Sequence, residues 1–398
     1  MVKRIEVKII NVTEDQPMLS NLTQRWHQSE HRWEFVLLKR FTQIFVLCLV
    51  AVSLFETFYW KKRTVMLYDE KRDVTDYCDG ELMRYYHKSK IKGDYYEQKG
   101  LLFSCSLMPY LKKFKLTEND PIREEKPNFP QDTAIVIGTD ATYWPSSKAV
   151  ISQIRKHFGN RTKIIVYDIG NLAENFKAEI DGICNLDYRY FNFKTLPSKV
   201  RNLKTFSWKI FILAEVFREY NNIMYMDSSI FIQTDEFEVF FEMMHEKTLT
   251  PIQLSGYTGH GLRYATHSNM YNYFPLDKNV NKQAWMMEAN MILMQRSEET
   301  RKLLKWAVLC AVVEDCINPY NAELYCPPHD DGTREGACHR QDQSLLNVLL
   351  YNLEYEMMFN GIRVVPHMRK DHPKNTRQRH ETRRLQFTNE DIAQCKNV

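Results

Sequence analysis

Between residues 134 and 170 the chain reads AIVIGTD, then SSKAVISQIRKHF, then KIIVYDIG: an apolar strand, an amphipathic helix and a second apolar strand. Strand, helix, strand implies parallel pairing, with helices laid against the sheet. The pattern continues in KTFSWKIFILAEVFREY (204–220), where Phe206, Ile210, Leu213 and Phe217 recur at helical spacing before the strand IMYMD. Within MYMDSSIFI (224–232) the apolar run is broken by Asp227, Ser228 and Ser229. In open α/β sheets ligands bind beyond the carboxyl ends of the strands, so a carboxylate there stands at the mouth of a site. Asp140 ends the first strand in the same way. Either acid alone serves as readily to cap a turn; two at successive strand ends of one sheet favour a function.

The rest of the chain divides around this region. From Phe41 to Trp60, FTQIFVLCLVAVSLFETFYW is long and apolar enough for a helix crossing a hydrocarbon core about 30 Å thick. Lys39 and Arg40 precede it, Lys61, Lys62 and Arg63 follow it, and Phe58, Tyr59 and Trp60 sit where aromatic belts form. A buried core helix is the alternative; the residues before it are too many for a secretory signal. Residues 1–40 are then a cytosolic tail, 41–60 an anchor, 61–130 a charged stem interrupted by Pro121, Pro127 and Pro130, and 131–398 the main domain. With 54 Lys+Arg against 50 Asp+Glu, the charge is too balanced for a nucleic-acid binder.

Flanking charge slightly favours the opposite orientation, but the cysteines argue for a lumenal carboxyl-terminal side. Cys48 lies in the span, and Cys78, Cys105, Cys184, Cys310, Cys316, Cys326, Cys338 and Cys395 form an even set beyond it, as an oxidising compartment would produce. None has the CxxC spacing of a zinc site. Cys310, Cys316, Cys326 and Cys338 crowd one stretch that two disulfides could staple, with the pairing open. The sequon Asn160-Arg161-Thr162 is open to glycosylation if lumenal, whereas Asn11 and Asn21 would stay bare in the cytosol. The expected arrangement is a type II membrane protein of the Golgi or endoplasmic reticulum.

Four segments in order carry a family resemblance. IGTDATYWPSSKAVISQI resembles the first strand and helix of family-eight-type glycosyltransferases, and YNNIMYMDSSIFI the segment bearing their Asp-x-Asp metal motif. EANMILMQRSEET (288–300) resembles the stretch lining their sugar pocket, and DQSLLN (342–347) their Asp-Gln-x-x-Leu-Asn. As a whole the chain resembles a nematode-expanded group of type II membrane proteins with a glycosyltransferase-like domain. The resemblance implies a GT-A-like α/β fold, a mixed sheet flanked by helices, and transfer from a nucleotide-sugar to a glycan or glycoprotein acceptor. It also implies that Thr139, Asp140 and Tyr143 hold the base and ribose, against a purely structural turn. Asn290 would contact the sugar, as would Asp342 and Gln343 unless they only open a helix. Lys209 would face the donor phosphates or else snorkel to solvent.

The family's metal would be Mn2+ or Mg2+, stabilising the departing diphosphate. Here Asp227 is followed by Ser229 where the second carboxylate belongs, so the carried-over ligands are Asp227, Ser229 and His367. Lys370 or Lys374, in the basic run from Arg363 to Arg384, would neutralise phosphate, unless that run is only a solvated tail. Asp227 therefore holds a weakened metal site, or contacts the donor without metal, or marks a degenerate site in a non-catalytic lumenal binding protein. A retaining reaction needs no dedicated base; an inverting one would draw on Asp342 or Glu288. A homodimer completes the expected partners.

Overall fold

The computed structural model describes residues 73–91, 94–126, 128–230, 232, 235–276, 284–328, 334–365 and 391–392, together with Gln43 and Leu47. The chain forms two compact units, Met1–Asp73 and Val74–Val398. The expected anchor 41–60 falls in the first unit and, apart from Gln43 and Leu47, outside the described residues. Among the described residues no helix is long and apolar enough to cross a membrane. His367 and Lys370 also lie outside them.

The second unit is mixed α/β. Its strands are β1 (Tyr77–Cys78), β2 (Glu81–Leu82), β3 (Arg84–Ile91), β4 (Asp94–Leu102), β5 (Thr133–Asp140), β6 (Ile164–Gly170), β7 (Leu186–Tyr190), β8 (Asn222–Met226), β9 (Ile252–Gly261) and β10 (Trp285–Gln295). Its helices are α1 (Met108–Phe114), α2 (Trp144–Phe158), α3 (Leu172–Asp181), α4 (Ser207–Phe217), α5 (Glu238–His245), α6 (Ser268–Tyr273), α7 (Glu298–Val312), α8 (Glu314–Ile317) and α9 (Gln341–Phe359). The central sheet has the order β7-β6-β5-β8-β10-β9. β5, β6, β7 and β8 run parallel, while β10 is antiparallel to both β8 and β9.

The sheet is buried on both faces, so its central strands are almost wholly apolar. Alternation then divides each strand between two cores. Val136, Ile165, Ile223, Tyr225 and Ile292 join the core containing Ile210 and Phe211 of α4, Leu304 of α7 and Leu345 of α9. Ile135, Ile137, Val166, Met224, Met226 and Leu293 join the core of Val150 and Ile154 on α2, Leu172 on α3 and Phe240 on α5. Gly138 lets α4 approach β5: a Cβ there would stand 2.4 Å from Cζ3 of Trp208.

Residues 61–130 are not uniformly a stem, because the chain is folded from Val74 onward. Cys78, Met83, Phe103, Leu111, Phe114 and Leu116 are buried in the same core as α4, α7 and α9. Glu81 and Lys305 form an ion pair closed off from water, with side chains 3% and 4% exposed. Around it the Glu118 N–H donates to Glu81 Oε2 (2.7 Å) and Arg301 Nη1 to the Leu116 carbonyl (3.0 Å). Disulfides join Cys78 to Cys105, Cys310 to Cys316 and Cys326 to Cys338, and Cys184 is disulfide-bonded as well. The two pairs expected in the Cys310–Cys338 stretch thus connect sequence neighbours.

Candidate functional site

β8 ends at Met226, and the chain turns there: the Asp227 N–H donates to the Asn290 carbonyl of β10 (2.7 Å), and the Ile230 N–H closes back on the Asp227 carbonyl (3.1 Å). Because Ile137 of β5 lies beside Met226 of β8 in parallel register, Asp140, the last residue of β5, and Asp227, the first beyond β8, stand at the carboxyl ends of neighbouring strands on one edge of the sheet. That is the geometry the sequence pattern implied.

Four segments converge on one ammonium. Lys209, in the first turn of α4, donates from Nζ to the Ala289 carbonyl of β10 at 2.9 Å. The same nitrogen stands 2.9 Å from Asp342 Oδ2 and 3.4 Å from Asp227 Oδ1. The Asp342 contact is ionic, since among the described residues Oδ2 accepts no hydrogen bond in aligned geometry. Side-chain exposure is 3% for Lys209, 5% for Asp342 and 30% for Asp227, so only Asp227 meets solvent. The rings of Tyr225 and Phe206 lie 5.2 and 5.6 Å from Nζ, adding cation–π attraction, and the Tyr225 hydroxyl donates to Asp227 Oδ1 (2.9 Å).

The titration of these groups follows from burial and pairing. Burial alone would lower the Lys209 ammonium, but Asp227 and Asp342 outweigh it and hold it above its ordinary value. Burial pushes the Asp342 carboxyl up, and Lys209 only partly offsets this. Burial, then the Asp227 charge, pushes the Tyr225 phenol well up. Lys209 therefore does not snorkel. Its stem and head are both enclosed, and its reach is taken up by two carboxylates and a carbonyl.

Asp342 reaches Lys209 because α9 clamps β10. Asn347 accepts from the Met287 N–H (2.8 Å) and donates to the Met287 carbonyl (2.8 Å), and Gln343 Oε1 accepts from the Ala289 N–H (3.4 Å). Gln343 Nε2 is buried without a hydrogen-bond partner among the described residues. Asp342 lies in the first turn, but the N-cap position is Arg340, which makes no side-chain cap. Ser344 Oγ ties the turn to the Ala265 carbonyl (2.8 Å).

Other expected residues take different places. Thr139 is buried, its Oγ1 accepting from Ser147 Oγ (2.8 Å), so its hydroxyl serves the β5–α2 junction. Asp140 Oδ1 accepts from the Tyr143 N–H (3.0 Å), the turn alternative in atomic form, while Tyr143 is 48% exposed beside it. Asn290 supplies the carbonyl that anchors Asp227. Glu288 lies against Gly256, where a Cβ would come within 3.2 Å of its Oε2. Sequence reading missed Tyr225 and Asn347. Both stand inside the quoted motifs, but as an apolar-strand tyrosine and the last letter of DQSLLN neither announces a role.

A divalent cation needs several hard oxygen or nitrogen donors. Asp227 Oδ1 is already engaged by Tyr225 and Lys209, and Ser229 offers a neutral oxygen. Among the described residues no three His, Cys, Asp or Glu side chains are grouped to hold a metal. The described donors do not fit a complete metal site.

A family model described as a protein of unknown function (DUF1647) matches residues 89–214, which stops short of Asp227. No curated protein matches the chain. Among solved structures, the chain is similar to the WbbM bifunctional glycosyltransferase, with 14% identity over 61% of this chain and 40% of that one, at a TM-score of 0.34. It is similar to the galactosyltransferase LgtC in complex with donor and acceptor sugar analogs, with 14% identity over 55% of this chain and 70% of that one, at a TM-score of 0.31. A third likeness is to the glycosyltransferase GlyE of Streptococcus pneumoniae TIGR4, with 18% identity over 55% and 43% of the two chains and a TM-score of 0.29. The chain spans less than half the length of the first and third of these.

Proposed function

We propose that this protein is a membrane-anchored glycosyltransferase of the GT-A, family-eight type. It would move a sugar from a nucleotide-sugar to a glycan or glycoprotein acceptor in the lumen of the Golgi or endoplasmic reticulum. The observation that carries the reading is the Asp227–Lys209–Asp342 cluster at the carboxyl edge of the sheet, in which Asp227 and Asp342 belong to segments whose sequences resemble that family in the same order.

Sugar transfer breaks the bond between the anomeric carbon and a diphosphate oxygen, so the site must hold the sugar still while negative charge grows on the leaving group. Asp227, the solvent-facing member, takes the donor's hydroxyls; Lys209 keeps Asp227 and Asp342 fixed and balances their charge. Asn290 borders the sugar, Asp342 and Gln343 act on the site from its buried side, and Asp140 and Tyr143 border the nucleoside. The described donors do not form a metal site, so no step runs through a cation on Asp227 and Ser229, and Lys370 is the proposed counter-charge for the diphosphate.

The deciding experiment incubates the purified full-length protein with a panel of nucleotide-sugars, with and without manganese, and follows release of free sugar. Turnover that falls at least ~100-fold in Asp227→Asn is the expected result. The second reading, a non-catalytic binding protein, is favoured by Ser229 and predicts donor binding with no hydrolysis under any condition. Absence of both binding and turnover would overturn the nucleotide-sugar reading.

A further inference from the structure

The turn between α2 and β6 carries the sequence Gly159-Asn160-Arg161-Thr162. Its backbone is tightly held. Arg155 Nη1 donates to the carbonyls of Asn160 (3.2 Å) and Thr162 (2.5 Å), its Nη2 to that of Cys184 (2.5 Å), and Asn185 Nδ2 to the Asn160 carbonyl (2.8 Å). Thr162 is buried, with its hydroxyl on the Phe158 carbonyl (2.7 Å). Asn160 itself is exposed, and its side-chain amide makes no hydrogen bond to any described residue. The fold thus fixes the turn and leaves the amide in solvent.

The turn also lies on the far side of the sheet from the candidate site. It enters β6 at the amino end, whereas Asp140 and Asp227 stand at the carboxyl ends of β5 and β8. Seven residues of β6 at about 3.3 Å each put roughly 20 Å between the two edges. A bulky group on Asn160 would block neither the acidic edge nor the Lys209 cluster. The Cys78–Cys105, Cys310–Cys316 and Cys326–Cys338 disulfides mark this unit as one that folds where thiols oxidise. Asn160 is also the one Asn-x-Ser/Thr sequon, x not being proline, between Val74 and Val398.

We propose that Asn160 is an N-linked glycosylation site, modified in the lumen by a lipid-linked oligosaccharide diphosphate. The Asn160 Nδ2 forms the new bond to the anomeric carbon of the oligosaccharide, the bond from that carbon to the lipid diphosphate breaks, and one amide proton is released with the lipid diphosphate as leaving group. The proposal rests on the lumenal placement given under the proposed function and not on sugar transfer by the protein itself.

The test expresses the full-length chain in animal cells and compares gel mobility before and after peptide-N-glycosidase F. Asn160→Gln keeps the backbone carbonyl that Arg155 and Asn185 bind, and Thr162→Ser keeps both the hydroxyl and the sequon. The expected result is a one-glycan shift in the unaltered chain and in Thr162→Ser, absent from Asn160→Gln and Thr162→Ala. A shift that persists in Asn160→Gln overturns the assignment. Protease treatment of sealed microsomes separates the two remaining failures. A protected domain with no shift overturns the site alone, and a digested domain overturns the lumenal placement with it, leaving donor hydrolysis to judge the enzymatic reading.

Discussion

Lys209 has its charge answered by Asp227 and Asp342, and its methylenes and ammonium are shut away from water. Replacing it by Met leaves a fully buried carboxylate with no counter-charge, a loss of about 3–5 kcal/mol for a broken buried pair. Thermal denaturation of Lys209→Met should show that loss together with loss of the proposed donor hydrolysis. Lys209→Met combined with Asp342→Asn should recover most of the stability and none of the activity. Removing the Tyr225 hydroxyl should cost less, about 1–2 kcal/mol by the same measurement, because Phe keeps the packing and surrenders one hydrogen bond to a carboxylate. The acids of this cluster were legible in the sequence because each stands in a motif at a strand or helix boundary. Their partner was not. A lysine in FSWKIF has the same local surroundings whether it reaches solvent or two distant carboxylates, and only the closing of the sheet decides which.

Elements that bury apolar residues at a regular period were the readable ones. β5, α2, β6 and β8 follow the expected ranges closely, because period-2 and period-3.6 patterns report burial directly. The helix expected from Lys204 begins only at Ser207, since Leu203–Thr205 forms a 3-10 turn and Phe206 sits at φ +51°. β9, ending SGYTGHG, hides as polar and glycine-rich chain, because its order comes from pairing with β10 rather than from its own pattern. The loop before α9 holds a titration that can be measured. His339 is fully buried; its Nδ1 accepts from the His267 N–H (3.2 Å), so Nε2 carries the proton and donates to the Ile317 carbonyl (3.1 Å). Burial pushes the imidazole down from 6.5 to about 4, with His267 adding to the effect. The unfolded chain takes up this proton near pH 6.5 and the folded one only near pH 4, so stability is present above that window and lost as pH falls through it. Chemical denaturation between these pH values should show about 3 kcal/mol of loss from this group, and His339→Gln should flatten the slope.

At the scale of the molecule, the folded unit reaches back to Val74, well before the sheet begins. The charged, tyrosine-rich strands β3 and β4 look like linker because they pair as a two-stranded ribbon, and the apolar residues that anchor them are scattered through Met83, Phe103 and α1. A chain beginning at residue 131 should therefore be recovered aggregated, whereas one beginning at residue 74 should melt cooperatively. Glu81→Ala, which strands the Lys305 ammonium, should lower stability by about 3–5 kcal/mol, and Glu81→Leu with Lys305→Met should restore most of it in the same melt.

The route of β10 through the sheet also bears on how the protein is made. β5, α2 and β6 are contiguous and can pair early, but β10 must insert between β8 and β9, and Asp342 meets Lys209 only after α9 has closed over β10. Contacts of such sequence separation form late, since each requires a long loop to close first. A refolding chain should gain amide protection in β5 and β6 before it can bind the nucleotide-sugar proposed for it, so binding of that proposed ligand would report on the final docking step of biosynthesis.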